Sequence, residues 1–199
     1  MRERYEENLA LSLLKKHFLI YKDLKLSDKP DLVDERDSIG VEVTMALNPN
    51  VEEREKYFEK HLKNRELSEV SIEQLKTVEQ YGLSIVSEKY TREMDDGKVL
   101  GLVRVFGNEE LELLHKAIRK KYAKKYAKLE EIDLYIFFRH VCGACLNASE
   151  IERLFCTAYK CQEENGTIFE NIMIDFYSTM VILDLKNHEC REIPYEEVG

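Results

Sequence analysis

The most informative stretch of this chain is residues 29–44, which read KPDLVDERDSIGVEVT. Two short apolar runs, at residues 32–33 and 39–43, flank a polar connector at residues 35–38. Short apolar runs separated by turn-forming polar residues are typical of two antiparallel strands and their loop. The stretch therefore predicts a β-hairpin.

The register of this hairpin brings two acids together. If residues 35–38 form the loop, Leu32 faces Val41 and Asp31 faces Glu42. Directly opposed residues in an antiparallel pair have Cβ atoms roughly 4.5–5.5 Å apart. Two carboxylates at that distance repel each other unless a cation lies between them, and oxygen ligands of this kind suit Mg²⁺. The hairpin thus predicts a magnesium site, with a solvated turn acid and an exposed strand acid as the alternative.

Composition excludes several classes of protein. The chain has 199 residues, of which 44% are hydrophobic and 35% charged, as expected for a globular domain. It lacks an apolar run of membrane-spanning length, and residues 1–7 are too charged for a signal peptide, so we expect a cytoplasmic protein without membrane contact. Its five cysteines are then expected to be thiols. The net charge of −9 opposes nucleic-acid binding except through a local basic patch.

The rest of the pattern predicts an α/β fold with a mixed central sheet flanked by helices. We expect residues 1–199 to form a single domain, with a helical insertion at about 48–82 and a C-terminal extension of the core at 140–199. Predicted helices cover residues 2–20, 51–67, 71–81, 108–129 and 149–161, and predicted strands after the hairpin cover residues 99–106, 132–138, 172–177 and 180–185.

Two predicted helices carry charged residues on their apolar faces. On a helical wheel Glu7 falls within about 20° of Leu14, and Lys121 and Lys125 fall within about 20° of Leu114. A lysine in such a position either extends its aliphatic stem to water or pairs with a carboxylate. Both interpretations remain open for each lysine.

The residues that interrupt the apolar pattern form a chemically coherent set. They are the acids Glu7, Asp31 and Glu42, with either Lys121 or Lys125. Metal-assisted phosphodiester hydrolysis uses acids to hold one or two Mg²⁺ ions. A lysine in such a site stabilises the developing negative charge or orients the attacking water.

This set resembles the PD-(D/E)XK nuclease superfamily, which has the restriction-endonuclease-like fold. The resemblance rests on Pro30-Asp31, a hairpin turn and residues 40–44 (GVEVT), preceded by a helix that carries Glu7. It covers residues 1–45 well and residues 108–138 more loosely. The superfamily motif is short and degenerate.

The resemblance implies roles for individual residues. Asp31 and Glu42 are expected to bind the metal, with the carbonyl oxygen of Val43 as a further ligand. Glu7 matches the helical acid that holds or orients the metal site in many members. The implied function is a Mg²⁺- or Mn²⁺-dependent nuclease acting on DNA.

One position departs from the superfamily pattern. Thr44 stands where the motif has its lysine, two residues after Glu42. Some members carry that lysine on a neighbouring helix, and the apolar-face position of Lys121 fits such a migration, with Lys125 in reserve. Other members have lost the lysine and are inactive, so a catalytically inactive interaction protein with the same fold is the alternative.

Two other segments suggest partners or chemistry. The basic stretch Lys116–Lys125, interleaved with tyrosines, predicts phosphate contacts, or else offsets the dipole at a helix C-terminus. The charged helix at 51–67 predicts a solvated face, with a lid over the hairpin or a homodimer contact as alternatives.

A third segment contains the pair Cys142 and Cys145 with His140 ahead of it. A structural zinc site needs four ligands, usually supplied by a second closely spaced pair, and Cys156 and Cys161 are spaced too widely for that. Small buried thiols are the preferred interpretation of this segment.

Overall fold

The computed structural model describes residues 4–34, 36, 38–46, 51–80, 83–87, 99–104, 108–126, 129–138, 146–176 and 179–195. The helices are α1 (Tyr5–His17), α2 (Val51–His61), α3 (Ile72–Gln80), α4 (Asn108–Tyr122) and α5 (Ala148–Asn165), with short 3₁₀ helices at Leu19–Tyr21 and Leu67–Glu69. The strands are β1 (Lys25–Leu26), β2 (Leu32–Val33), β3 (Ile39–Met45), β4 (Leu83–Ser87), β5 (Val99–Arg104), β6 (Glu131–Phe137), β7 (Asn171–Asp175), β8 (Thr179–Asp184) and β9 (Glu189–Pro194).

Seven strands form one mixed sheet in the order β1-β2-β3-β6-β7-β8-β9. The central strands β3, β6 and β7 run parallel to one another, and the pairs toward both edges are antiparallel. Strands β4 and β5 make a separate antiparallel pair. The expected α/β architecture, a mixed sheet flanked by helices, is confirmed.

The predicted hairpin has the predicted register. Leu32 pairs with Val41 between β2 and β3. The Asp34 carboxylate closes the turn, because it accepts hydrogen bonds from the Ser38 amide at 2.8 Å and the Ser38 hydroxyl at 2.9 Å. Hydrogen bonds of an aspartate to the backbone of its own turn are a common way to fix a tight connection.

The sheet is covered on both faces. On β6, side chains alternate, so that Leu134 and Ile136 join α4 and α5 in one core while Tyr135 and Phe137 join α1 in the other. Val43 of β3 packs in the α1 core. Glu42, its neighbour in the strand, therefore faces the opposite side of the sheet, where α4 lies.

Helix α4 is shorter than predicted. Its apolar spacing continues to Leu129, but the helix ends at Tyr122, where the Lys124 amide donates to the Lys121 carbonyl at 3.1 Å in a tightened last turn. Tyr126 and Leu129 still pack against the core from the segment that follows. The spacing therefore reported the burial of these two apolar residues correctly and the helix length incorrectly. It was also wrong for Lys125, which it placed on the apolar face and which is exposed, because α4 ends before that residue.

Helix α5 is longer than predicted, because both of its ends are capped. Asn147 and Glu150 form a reciprocal capping box at the N-terminus, and Gly166 ends the helix in the left-handed conformation at φ 70°. Strand β9 was not predicted, since its mostly exposed and charged residues lack an apolar alternation.

The segment between β3 and β5 has its own small core. Leu62, Val70 and Val78, from α2, α3 and their connection, form an apolar cluster separate from the two main ones. Ser71 and Gln74 cap α3 reciprocally. The Gln74 backbone amide donates to the Ser71 hydroxyl at 3.2 Å, and the Ser71 backbone amide donates to Gln74 Oε1 at 2.9 Å.

Several sequence interpretations concern residues beyond those described. His140, Cys142 and Cys145 lie outside the described residues. Where the chain is described, Cys156, Cys161 and Cys190 are free thiols. No helix in the described ranges has the length and apolarity that a bilayer crossing requires.

Candidate metal centre

The candidate site lies where β3 extends past the end of β2. Strand β2 begins at Leu32, which pairs with Val41, so Val43 lies beyond the pairing between these strands. Two side chains satisfy its backbone instead: the Val43 amide donates to Asp31 Oδ2 at 2.8 Å, and the Val43 carbonyl accepts from Lys121 Nζ at 2.6 Å. Polar side chains thus replace a neighbouring strand at this point of the sheet.

The Lys121 ammonium is surrounded by the three oxygens predicted to bind metal. Besides the Val43 carbonyl, it donates to Glu42 Oε1 and lies 3.9 Å from Asp31 Oδ2. The side chains of Lys121 and Glu42 are 7% and 2% exposed, so this ion pair is buried. Burial lowers the pKa of Lys121, and the hydrogen bond and charge of Glu42 and the charge of Asp31 oppose that change.

A second ammonium, from a lysine that the helical wheel did not place on the apolar face, also reaches Glu42. Lys124 Nζ donates to Glu42 Oε1 at 2.9 Å, and its side chain is 44% exposed. Burial acts to lower the pKa of Lys124, but the hydrogen bond and charge of Glu42 outweigh it, so that pKa is raised. The helical wheel does not apply to Lys124, because α4 ends at Tyr122. Lys124 could have been identified from the sequence only if the end of α4 had been predicted correctly.

Electrostatic coupling between the acids is evident at Asp31. Burial raises the pKa of Asp31, and the charges of Glu42 and Glu7 raise it further, while the Val43 amide and the Lys121 ammonium lower it. Together these effects raise the pKa of Asp31 above its ordinary value. An acid in this state is stabilised in its charged form by added positive charge.

Glu7 lies beside the site without joining its hydrogen bonds. It lines a surface cavity of about 350 Å³ together with Arg4, Val43, Thr44 and Met45. Its Oε2 atom is buried and has no hydrogen-bond partner among the described residues. Its charge contributes to the raised pKa of Asp31.

Lys125, the reserve lysine, lies away from the carboxylates. It is exposed and lines a different cavity, of about 550 Å³, with Tyr126 and Leu129. Tyr126 connects this region to the site, because its hydroxyl donates to the Lys121 carbonyl at 3.0 Å. Burial and the charges of Glu42 and Asp31 raise the pKa of Tyr126, so its hydroxyl is a donor at neutral pH.

The donor set fits a hard cation. Asp31, Glu42 and the Val43 carbonyl offer oxygen atoms alone, and they already surround the positive charge of Lys121. Mg²⁺ typically takes one or two carboxylates and keeps its remaining positions for water and phosphate. Within the described ranges, no three or more His, Cys, Asp or Glu residues come together as a metal-binding group, so Glu7 does not complete a three-acid cluster.

Two further buried acids lie in the sheet and were missed by the sequence interpretation. Asp133 accepts hydrogen bonds from the Tyr21 hydroxyl at 2.6 Å and from the Asn171 side-chain amide at 2.8 Å. Asp175 accepts from the Tyr135 hydroxyl at 2.7 Å. Each acid interrupts an apolar strand, which is the signal that could have identified it, and each is held in hydrogen bonds typical of a structural role.

The basic stretch is divided between the surface and the site. Lys121 is buried in the ion pairs described above, and the other cations of the stretch are exposed to solvent: Lys116, Arg119, Lys120, Lys124 and Lys125.

Comparison of the chain with protein families, curated proteins and solved structures found no match.

Proposed function

We propose that this chain is a metal-dependent nuclease with a restriction-endonuclease-like fold, which hydrolyses phosphodiester bonds in DNA. One observation carries the proposal. Two carboxylates, Asp31 and Glu42, and the Val43 carbonyl converge around the buried Lys121 ammonium at the open edge of β3. Buried groups of opposite charge that converge on one point are costly to maintain, which makes a functional role the better explanation.

The residues have separate tasks in the proposed reaction. Asp31, Glu42 and the Val43 carbonyl would hold Mg²⁺ or Mn²⁺, which when bound supplies a hydroxide nucleophile and neutralises charge on the phosphate. Lys124, which is partly exposed beside Glu42, would donate to a phosphate oxygen of the substrate. The Lys121 ammonium stabilises negative charge that develops at the reacting phosphate.

DNA is the proposed substrate because exposed cations lie close in sequence to Lys121 and Lys124. Four exposed cations lie on α4 or just after it: Lys116, Arg119, Lys120 and Lys125. Cations of this kind contact phosphates without reading sequence. They offer a local positive surface on a chain whose net charge is −9.

A second candidate is an inactive interaction protein of the same fold. Thr44 in place of the motif lysine favours it, and so does the ion pair of Lys121 with Glu42, which already neutralises the carboxylate. In that case the Asp31 and Lys121 side chains serve only to complete the edge of β3.

A plasmid-nicking assay in Mg²⁺ or Mn²⁺ tests the proposal. We expect nicking by the wild-type chain, and a loss of at least about tenfold in Asp31→Asn and in Glu42→Gln, both of which keep the shape of the side chain. Asp133→Asn is the matched control, since it removes a buried acid outside the site and should leave nicking unchanged. Circular dichroism verifies that each variant is folded.

Two outcomes contradict the proposal. Equal nicking by the wild type and both site variants would assign the activity to other residues. Absence of nicking in the folded wild type, on both duplex and single-stranded DNA, favours the inactive protein.

A further inference from the structure

The nitrogen of Lys121 lies among the oxygens that would hold a bound cation. It contacts Glu42 Oε1 and the Val43 carbonyl oxygen and lies 3.9 Å from Asp31 Oδ2. These are the oxygens that would coordinate a metal ion. An ammonium group and a divalent ion cannot occupy the same point, so one excludes the other.

We propose that Lys121 is an internal competitor of the metal, an ammonium that occupies the centre until a divalent cation displaces it. This inference rests on the metal-binding part of the proposed function and does not depend on catalysis. In the metal-free protein Lys121 neutralises the buried carboxylates, and in the loaded protein it must withdraw from at least one of them.

The charges in contact support such an exchange. Asp31 and Glu42 carry two negative charges when ionised, and Lys121 and Lys124 carry two positive charges. A divalent ion added to this balanced group would meet two ammonium groups beside the same carboxylates. Repulsion between like charges in a partly buried site is strong, so metal entry and the departure of an ammonium are coupled.

The two lysines differ in how readily they can leave. Lys124 is 44% exposed and can turn toward water, whereas the Lys121 side chain is 7% exposed and also donates to the Val43 carbonyl. Lys121 therefore sets the affinity for metal, and Lys124 has the smaller effect.

Calorimetric titration of the full chain with MnCl₂, in the absence of nucleic acid, tests this inference. We expect Lys121→Met to bind Mn²⁺ at least about tenfold more tightly than the wild type, because the competing charge is gone while an aliphatic stem remains. Lys124→Met should gain less. Lys120→Met, an exposed neighbour on α4, is the control and should bind as the wild type does.

Thermal unfolding provides a second measurement. Lys121→Met leaves Glu42 buried with one partner fewer, so the metal-free variant should melt below the wild type. Added Mn²⁺ should then raise its melting temperature by more than it raises that of the wild type. If Lys121→Met does not fold, Lys121→Gln, which keeps a hydrogen-bond donor without the charge, takes its place in both measurements.

The outcomes separate this inference from the nuclease proposal. Equal or weaker Mn²⁺ binding by the folded Lys121 variant overturns the inference, even if the wild type nicks DNA. Tighter binding that disappears in the double variant Lys121→Met/Glu42→Gln supports it, even if no variant nicks DNA. Absence of Mn²⁺ binding in both the wild type and the Lys121 variants overturns both proposals.

Discussion

The Asp31 carboxylate accepts a hydrogen bond from the Val43 amide at 2.8 Å. A continued β ladder would pair Asp31 with Glu42, the residue before Val43. The acid therefore serves the sheet and the candidate site at once: one oxygen terminates the exposed edge of β3, and the carboxylate as a whole lies beside Lys121 and Glu42. Asp31 therefore has a structural role, the hydrogen bond to Val43, and a chemical role, the negative charge beside Lys121. We expect different substitutions of Asp31 to affect these two roles separately.

Asp31→Ala should destabilise the fold more than Asp31→Asn does. Alanine leaves the Val43 amide without its acceptor, which costs about 1–3 kcal/mol when the group is buried. Asparagine keeps an acceptor oxygen and carries no charge, so it avoids both the burial of charge and the repulsion by Glu42 that raise the pKa of Asp31. Urea unfolding of both variants measures the difference in free energy of unfolding, and equal losses would contradict the role of the hydrogen bond.

Gly40 allows the hairpin to approach the rest of the fold. A Cβ atom at this position would collide with the side chains of Pro30 and Leu129. Gly40→Ala is therefore expected to lower the free energy of unfolding by about 1–3 kcal/mol, since overpacking forces neighbours to shift.

Gly166→Ala offers a contrasting control for that substitution. Space is open around Gly166, but its φ of 70° disfavours a side chain. Its cost should come from backbone conformation alone, about 1 kcal/mol. Added Mn²⁺ should leave that cost unchanged. A Gly40→Ala variant as stable as the wild type would show that Pro30 and Leu129 can move apart without loss.

Local patterns predicted the hairpin and the buried lysine correctly. The turn chemistry at residues 35–38 and the apolar runs beside it determined the pairing of Leu32 with Val41, which a shift of one residue would have destroyed. The helical phase of Lys121 indicated burial because that residue lies inside α4, where the wheel applies.

The parts of the site that were missed depend on where elements end. Lys124 lies past the last residue of α4, so its direction follows from a tightened turn that periodicity does not report. Glu7 was assigned to the inner face of α1 and is half-buried, but its distance from the carboxylates depends on packing between α1 and the sheet. Such tertiary distances are not encoded in the spacing of residues along one helix.

Asp133 should make the stability of the fold depend on pH. Burial raises its pKa from 3.8 to about 7, against the lowering effect of its hydrogen bonds from Tyr21 and Asn171. Because the pKa of Asp133 is higher in the folded state, its contribution to the free energy of unfolding is largest below about pH 4 and falls as the pH rises to about 7. Above about pH 7 that contribution does not change further.

The isosteric variant Asp133→Asn removes this titration. We expect its stability relative to the wild type to increase between pH 5 and pH 8, on the order of 2 kcal/mol, because the wild type alone must then bury a charge. Urea unfolding at the two pH values measures that difference. A relative stability that does not change with pH would mean that Asp133 is ionised throughout the range.

Lys124 is expected to contribute to DNA binding more than its exposure alone would suggest. Its Nζ is 2.9 Å from Glu42, and its backbone carbonyl accepts a hydrogen bond from the Thr167 hydroxyl at 3.1 Å, so the side chain starts from a fixed position beside the proposed metal. Lys160, on α5, is 75% exposed and lies outside the basic stretch, which makes Lys160→Met the matched control.

Salt-dependent binding of a labelled duplex, measured by fluorescence anisotropy, compares the two variants. Each phosphate contact that is lost lowers the slope of log K against log salt by about 0.9. We expect this loss in Lys124→Met and an unchanged slope in Lys160→Met. If both variants keep the wild-type slope, the phosphate contacts belong to other cations, and Lys124 acts on Glu42 alone.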